Sequence, residues 1–240
     1  EILQEHHLVD TIKKAVTKRI LDSLKALKKE SFDKYRDFWN EYGLVLKEGP
    51  AEDRENKDTI ASLLLFASTY ANSKDCDQTL DDYLERMGND QDKIYYCVAD
   101  TYEAAANSPH IEGLKSKGIE VPLLTDRIDE WVMAGLMEYQ GKEFINVAKE
   151  DIADEDETNK VSEGDQEIIS KIQKHLDEKV SDVIISKRLT DSASCIVLPK
   201  HEPGAQLRKI LEASGQTLGS SNPIFEINMK HKLVKKLKDM

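Results

Sequence analysis

Apolar residues near the start of the chain recur at intervals of three and four positions, with lysines in many of the places between them. This spacing gathers the apolar side chains on one face of an α-helix. The residues on that face are Leu8, Ile12, Ala15, Val16, Ile20, Leu24 and Leu27. The pattern therefore predicts an amphipathic helix over residues 5–29.

Further helical patterns follow this first helix. A second helix is predicted over 32–42, because Gly43 comes next and glycine is common just past a helix end. A third helix is predicted over 51–71, since apolar side chains recur along it at helical spacing. We interpret residues 1–92 as a helical unit.

The pattern changes beyond the helical unit. Short apolar or β-rich runs occupy 94–98, 119–124 and 144–147, and helical patterns separate them, the last at 126–139. Continuous apolar runs are typical of parallel strands buried on both faces, and crossovers between such strands are right-handed. Residues 93–149 are therefore predicted to form a small three-layer parallel α/β subdomain.

An acidic segment separates this subdomain from the rest of the chain. Residues 150–165 contain the run Asp154, Glu155, Asp156 and Glu157 and few hydrophobic side chains, a composition typical of linkers. Residues 166–240 are predicted to form a mixed α+β module. Its elements are a helix at 165–178, strands at 180–186 and 194–198, a helix at 204–214, a strand at 223–228 and a helix from about Lys230. The whole pattern predicts a helix-rich, mixed α/β protein.

Charge and cysteine content narrow the class of protein. The 240 residues carry a formal net charge of −12, and an acidic chain repels the phosphates that a nucleic-acid-binding protein must attract. The longest apolar run, at 63–67, is far shorter than a membrane helix requires. The three cysteines have no C-x-x-C spacing, which suits free thiols in a reducing compartment. We therefore expect a cytoplasmic protein with no nucleic-acid or membrane partner.

Common catalytic and metal-binding motifs are missing from the sequence. It has no G-x-G-x-x-G, no G-x-x-x-x-G-K-[ST] and no H-E-x-x-H, and the acidic segment lacks the glycine and terminal glutamate of a calcium loop. From the residues alone we expect an interaction protein without a metal site. One alternative is a cytosolic α/β enzyme with its active site near Cys97 and Asp100, at the end of a strand, where α/β sheets bind ligands. Another is a dimerisation scaffold.

Six segments carry a more specific signal. They are GLVLKEGPAED at 43–53, KIYY at 93–96, NSPH at 107–110, LLTDRIDEW at 123–131, RLTDS at 188–192 and IFEIN at 224–228. In this order they resemble the heat-shock protein 90 family of molecular chaperones, bacterial HtpG type. The resemblance implies the distal half of the family's middle domain followed by most of its C-terminal domain.

The resemblance implies that the parent protein is an ATP-dependent chaperone and homodimer. The family binds ATP and Mg²⁺ in an N-terminal domain upstream of this region, and its ATP-contacting arginine would stand just before Glu1. Gln4 matches a second family residue near the γ-phosphate. Because positioning and charge stabilisation supply most of the catalysis in phosphoryl transfer, we expect no ATP hydrolysis and no cofactor in this segment. The family's dimerisation helices would follow Met240, so we expect no stable dimer from the segment itself.

The resemblance also implies a surface for client proteins, meaning unfolded or partly folded polypeptides. Glu130 and Trp131 match family positions that touch clients. We add Met133, because the helical pattern places it with Met137 on the side opposite the predicted sheet-facing arc. The alternative is a helix enclosed between the sheet and neighbouring helices. The segment would bind clients here and relay conformational change from the ATPase domain.

A second part of this surface is expected in the C-terminal domain. Leu207, Ile210 and Leu211 form a stripe at helical spacing, which is most often a core stripe. The resemblance instead matches this stripe to the family's amphipathic, client-facing helix. Pro203 and Gly204 replace the family's apolar residue at the start of that helix.

A basic pair on the first helix is the last expected site. Lys18 and Arg19 lie among other lysines, and such a run is usually a solvated helix face. The pair also matches part of the family's docking surface for the seventy-kilodalton heat-shock chaperone, which implies a charge-steered contact with that partner.

Overall fold

The computed structural model describes residues 7–149, 162–200, 202–215 and 222–237. Gln4 lies outside the described residues, as does most of the predicted linker. The elements of the first module (residues 7–149) are α1 (His7–Glu30), α2 (Phe32–Glu52), α3 (Lys57–Ala61), β1 (Phe66–Ser68), β2 (Ser73–Gln78), α4 (Leu80–Arg86), β3 (Lys93–Val98), α5 (Tyr102–Ala106), α6 (Glu112–Ser116), β4 (Pro122–Leu124), α7 (Asp129–Gly135), β5 (Glu138–Tyr139) and β6 (Lys142–Asn146). Those of the second module (residues 162–237) are α8 (Glu163–Leu176), β7 (Asp182–Ile185), β8 (Ser194–Val197), α9 (Ala205–Ala213), β9 (Ile224–Ile227) and α10 (Lys232–Lys236).

The first module is built on one six-stranded sheet with the strand order β2-β1-β4-β3-β6-β5. Its central strand β3 runs parallel to β4 and to β6, so the three predicted parallel strands are confirmed. The outer strands β1, β2 and β5 pair antiparallel and were not expected. The predicted mixed α/β class is confirmed.

The helix predicted over 51–71 is wrong. α3 ends at Ala61, and residues 66–78 instead supply the antiparallel strands β1 and β2. The apolar run between them and α3 is completely buried, at Leu63, Leu64 and Leu65. Periodicity alone cannot distinguish a short buried apolar run in a strand from one in a helix. Because β1 pairs with β4, the sheet draws strands from both sides of the boundary predicted at residue 92.

The end predicted for the second helix at Gly43 is also wrong. α2 continues through this residue to Glu52. A Cβ at Gly43 would come within 2.8 Å of the ring of Trp39, which is itself buried. Glycine therefore permits close packing within the helix at this position, rather than ending the helix.

Only the C-terminal half of the apolar face of α1 packs against the protein. Leu21 is buried, and Leu24 and Leu27 contact the main core. The residues of the N-terminal half of the face are exposed: Leu8, Ile12, Val16 and Ile20. The predicted helix is confirmed, but the N-terminal half of its apolar face is not packed against any other part of the chain that the structure describes.

The second module has a three-stranded sheet in the order β7-β9-β8. β9 runs parallel to β7 and antiparallel to β8, and α8 packs beside β7. The elements predicted from the sequence begin within two residues of the observed ones, and the five for which an end was predicted also end within two residues. Ile168, Val183 and Ile227 belong to the core between α8 and the sheet.

The two modules are joined by charged side chains that bind backbone groups across the joint. Glu112 of α6 accepts hydrogen bonds from the backbone N–H groups of residues 190–192, the shortest at 2.8 Å. Arg188 is buried, donates to the carbonyl oxygen of Val147 at 2.7 Å and pairs with Glu226 at 3.0 Å. These contacts hold the second module against the first in a defined orientation.

Candidate functional site

The start of α7 is fixed by a buried ion-pair cluster that includes Lys47 of α2. The Lys47 Nζ lies 2.6 Å from Asp126 Oδ2 and 2.7 Å from Asp129 Oδ1. The side chains of Lys47 and Asp129 are only 4% and 2% exposed. The second oxygen of Asp129 accepts the backbone N–H of Asp126 at 2.8 Å, so a single carboxylate satisfies both the lysine and the turn that starts the helix.

The two carboxylates favour the charged form of Lys47, whereas burial, together with repulsion from Asp126, raises the pKa of Asp129. Burial by itself lowers the pKa of Lys47, but the attraction of Asp129 and Asp126 and their hydrogen bonds raise it above its ordinary value. Lys47 therefore remains protonated at neutral pH. Sequence reasoning missed this cluster, although both of its parts lie in segments that carry the family resemblance, because Lys47 and Asp129 are 82 positions apart.

The helix held in this way presents different side chains to the core and to its outer side. Val132, Met133 and Leu136 are buried, whereas Glu130 and Trp131 are partly exposed. Met133, predicted as part of a client surface, is only 6% exposed and belongs to the main core. That prediction is corrected, because α7 is shorter than the predicted helix and its position on α2 turns this side chain inward.

The remaining methionine of the pair is on the surface. Met137 follows α7 and is 68% exposed. Gly135, in the last turn of α7, packs against α2, where a Cβ would come within 2.9 Å of the Cα of Ala51. This close approach of the two helices leaves the outer side of α7 available to a different neighbour.

That neighbour is α9 of the second module, which packs against α7. Leu207 and Leu211 of α9 are partly exposed, and the side chain of Ile210 lies outside the described part. The carboxylate of Glu130 accepts the backbone N–H of Leu207. The structure therefore brings together Glu130 and Leu207, which the sequence placed in two separate regions. Trp131 follows Glu130 on the same helix, α7.

The basic pair lies on a different element. Lys18 and Arg19 are both exposed on α1. Lys18 borders a shallow cleft of about 300 Å³ that is also lined by Asp22 and Glu55.

Cys97, at the alternative enzyme site, is poorly suited to act as a nucleophile. The thiol is 2% exposed, and burial raises its pKa to about 11. A thiol that stays protonated at neutral pH is a weak nucleophile and a weak metal ligand. Among the described residues, no group of three or more histidine, cysteine or acidic side chains is arranged to hold a metal ion.

One buried histidine near the module joint has an unusual environment. The Nδ1 atom of His110 is buried without a hydrogen-bond partner. Burial, assisted by the nearby charge of Arg188, lowers the pKa of His110 to about 4. The imidazole is therefore neutral at pH 7. It acts as a packing group at the joint, while the N–H of its backbone is held by the hydroxyl oxygen of Ser108.

Comparison with known proteins assigns the family. The family model described as Hsp90 protein matches residues 1–240. The chaperone protein HtpG of Aromatoleum aromaticum is 48% identical over 250 residues, covering 99% of this chain and 39% of that relative. The HtpG proteins of Shewanella denitrificans and Shewanella loihica are 45% and 44% identical, covering 100% and 99% of this chain.

The extent of these matches is as informative as their identity. The chain spans about two fifths of the length of the curated relatives it matches. None of the described helices is both long enough and apolar enough to cross a membrane. A match along the whole chain, at identities well above those of chance similarity, establishes that this chain belongs to the Hsp90 family.

Proposed function

We propose that this chain forms a binding surface for unfolded polypeptide within an ATP-dependent chaperone. The observation that supports the proposal is the packing of α7, which carries Trp131, against α9, which carries Leu207. The relatives are named as chaperone proteins, and an apolar surface made from two modules is suited to a partner without fixed structure.

The side chains at this surface fit such a partner. Trp131, Leu207 and Leu211 are partly exposed, and Met137 is largely exposed. An aromatic ring and a flexible methionine bury much apolar area without demanding one partner shape. Binding surfaces that accept many partners use adaptable side chains of this kind.

The chemical energy for the cycle would come from outside the surface. We propose that the parent protein is a cytoplasmic ATPase that holds ATP and Mg²⁺ in its N-terminal domain, and that this chain itself performs no hydrolysis. Gln4 would take part in the relay from the nucleotide. The rigid connection of α7 to α2 through Lys47 and Asp129 would pass a movement of the helical region on to the binding surface.

Two protein partners complete the proposal. The parent would act as a homodimer, and the exposed pair Lys18 and Arg19 would contact the seventy-kilodalton heat-shock chaperone. Both side chains lie on the exposed surface of α1, which makes them accessible to an acidic partner surface.

The experiment that tests the function measures how tightly the chain binds a permanently unfolded, fluorescently labelled polypeptide. Trp131→Ala should weaken binding by about ten-fold, because losing a large aromatic contact from an apolar interface costs about 1–2 kcal/mol. The matched control is Tyr70→Ala, since Tyr70 is an exposed aromatic residue (63%) on the turn after β1. Equal affinities for all three proteins would refute the assignment of this surface.

A further inference from the structure

The first turn of α9 receives its hydrogen-bond acceptor from the other module. The first N–H groups of any helix lack partners within the helix, and a nearby side chain of Ser, Thr, Asp or Asn usually supplies one. Here the carboxylate of Glu130, 77 positions away in the chain, accepts the N–H of Leu207, the third residue of α9. A carboxylate at this end also interacts favourably with the helix dipole.

The residue before α9 makes room for this carboxylate. Gly204 immediately precedes the helix and is buried. A Cβ built on Gly204 would overlap the Glu130 carboxyl group. Any other residue at 204 would therefore push Glu130 away. A residue with a capping side chain at this position would make Glu130 unnecessary. Gly204 has no side chain, so it neither displaces Glu130 nor replaces it as the cap.

Neighbouring charges support the same arrangement. Arg208 of α9 forms an ion pair at 2.5 Å with Glu202, and this pair ties the segment before the helix to its first turn. Lys149 lies near both Glu130 and Glu202, and their attraction partly offsets the lowering of its pKa by burial. The carboxylate of Glu130 thus accepts a hydrogen bond at a helix N-terminus and also attracts the charge of Lys149.

We propose that Glu130 is a positioning residue, which caps α9 from the first module and holds it against α7. The inference rests on the proposed function. It reassigns Glu130 from touching the bound polypeptide to building the surface that the polypeptide meets. The two apolar halves of the surface form one site only while this cap is in place.

The first test observes the cap without any polypeptide. In the 240-residue chain, Glu130→Ala should shift the amide proton of Leu207 upfield and speed its hydrogen exchange by about five-fold, the equivalent of one lost N-cap. Nuclear Overhauser contacts between α7 and α9 should weaken. Glu130→Gln keeps the side-chain length and one acceptor oxygen, so the slow exchange of Leu207 and the Overhauser contacts should be partly retained. An unchanged Leu207 amide in both variants would overturn the proposal.

The second test separates positioning from direct contact. Gly204→Ser in the Glu130→Ala background supplies a local cap, so exchange at Leu207 should slow again while the contacts between α7 and α9 stay weak. Affinity for the unfolded polypeptide should follow the contacts between α7 and α9, falling several-fold in Glu130→Ala and staying low in the double variant. A loss of affinity with the Leu207 amide and the α7–α9 contacts intact would mean that Glu130 touches the polypeptide directly.

Failure of the function itself would look different. If the unaltered chain bound no polypeptide, the proposed function would fall, whereas the Leu207 amide would still report the cap.

Discussion

The sharpest prediction on stability concerns the cation that anchors α7. Lys47→Met keeps the aliphatic part of the side chain but removes the charge that Asp126 and Asp129 share. Asp129 is 2% exposed and cannot be rehydrated in place, whereas Asp126 is 40% exposed and can. Removing one partner of a buried ion pair costs about 3–5 kcal/mol. Because only one of the two carboxylates is fully buried, we expect the lower end of this range, about 3 kcal/mol.

The assay is thermal unfolding followed by circular dichroism and tryptophan fluorescence. A loss of about 3 kcal/mol should lower the melting temperature by roughly 6–12 °C for a protein of this size. Adding Asp129→Asn to Lys47→Met should restore part of the stability, because the unpaired buried charge is then gone, and the two changes should couple by about 1 kcal/mol or more.

The matched control is a lysine in an exposed ion pair. Lys14 lies 2.9 Å from Glu55, with both side chains about 70% exposed, so Lys14→Met should leave the unfolding midpoint unchanged. If Lys47→Met were as stable as Lys14→Met, the ion-pair cluster would not be what fixes the start of α7.

Three further predictions concern the module joint and the basic pair. The pKa of His110 is about 4 in the folded chain, so the unfolded chain takes up a proton first as the pH falls. The free energy of unfolding should therefore decrease from about pH 6.5 to about pH 4. His110→Gln should remove up to about 3 kcal/mol of this pH dependence in unfolding measurements across that range. Glu112→Ala should speed hydrogen exchange at residues 190–192 and weaken docking of the second module by about 1–2 kcal/mol, because several hydrogen bonds to a charged acceptor are lost. Reversing the charges of Lys18 and Arg19 should lower the association rate with a seventy-kilodalton heat-shock chaperone at low salt, measured by surface plasmon resonance.

Each of these has a result that would contradict it. An unchanged pH slope in His110→Gln would show that its imidazole titrates normally in the folded state. If Glu112→Ala left hydrogen exchange at residues 190–192 unchanged, the hydrogen bonds to Glu112 would not be what docks the second module. For the basic pair, the control reverses Lys115 and Lys117, two exposed lysines around the end of α6, and equal rates for the two variants would mean that only net charge matters.

The secondary structure could be predicted best where turn residues separate short elements. In the second module, Pro223 and Gly215 interrupt the chain close to the ends of β9 and α9, and the predicted elements match. In the first module the prediction of a helix over 51–71 failed, because a buried strand beside a sheet and a helix in a core give the same apolar run. Gly43 was misread because close packing on Trp39 needs a glycine just as a helix end does.

The candidate site depends on contacts that leave little trace in the sequence. The family resemblance pointed to Glu130, Trp131 and Leu207, and the structure places α7 and α9 together. Helical periodicity put Met133 on the outer side, but the short α7 packs it into the core. The hydrogen bond from Leu207 of α9 to Glu130 joins residues 77 positions apart. Its one trace in the sequence is Gly204, which stands where a local capping residue is usual.

The most direct measurement of the central claim is hydrogen exchange of the 240-residue chain with and without a saturating, permanently unfolded polypeptide. The account predicts slower exchange on binding in two segments, α7 with the residues up to Met137 and the first turns of α9, with little change elsewhere. Protection confined to the exposed apolar stripe of α1, at Leu8, Ile12, Val16 and Ile20, would show that polypeptide binds to a different surface and would contradict it.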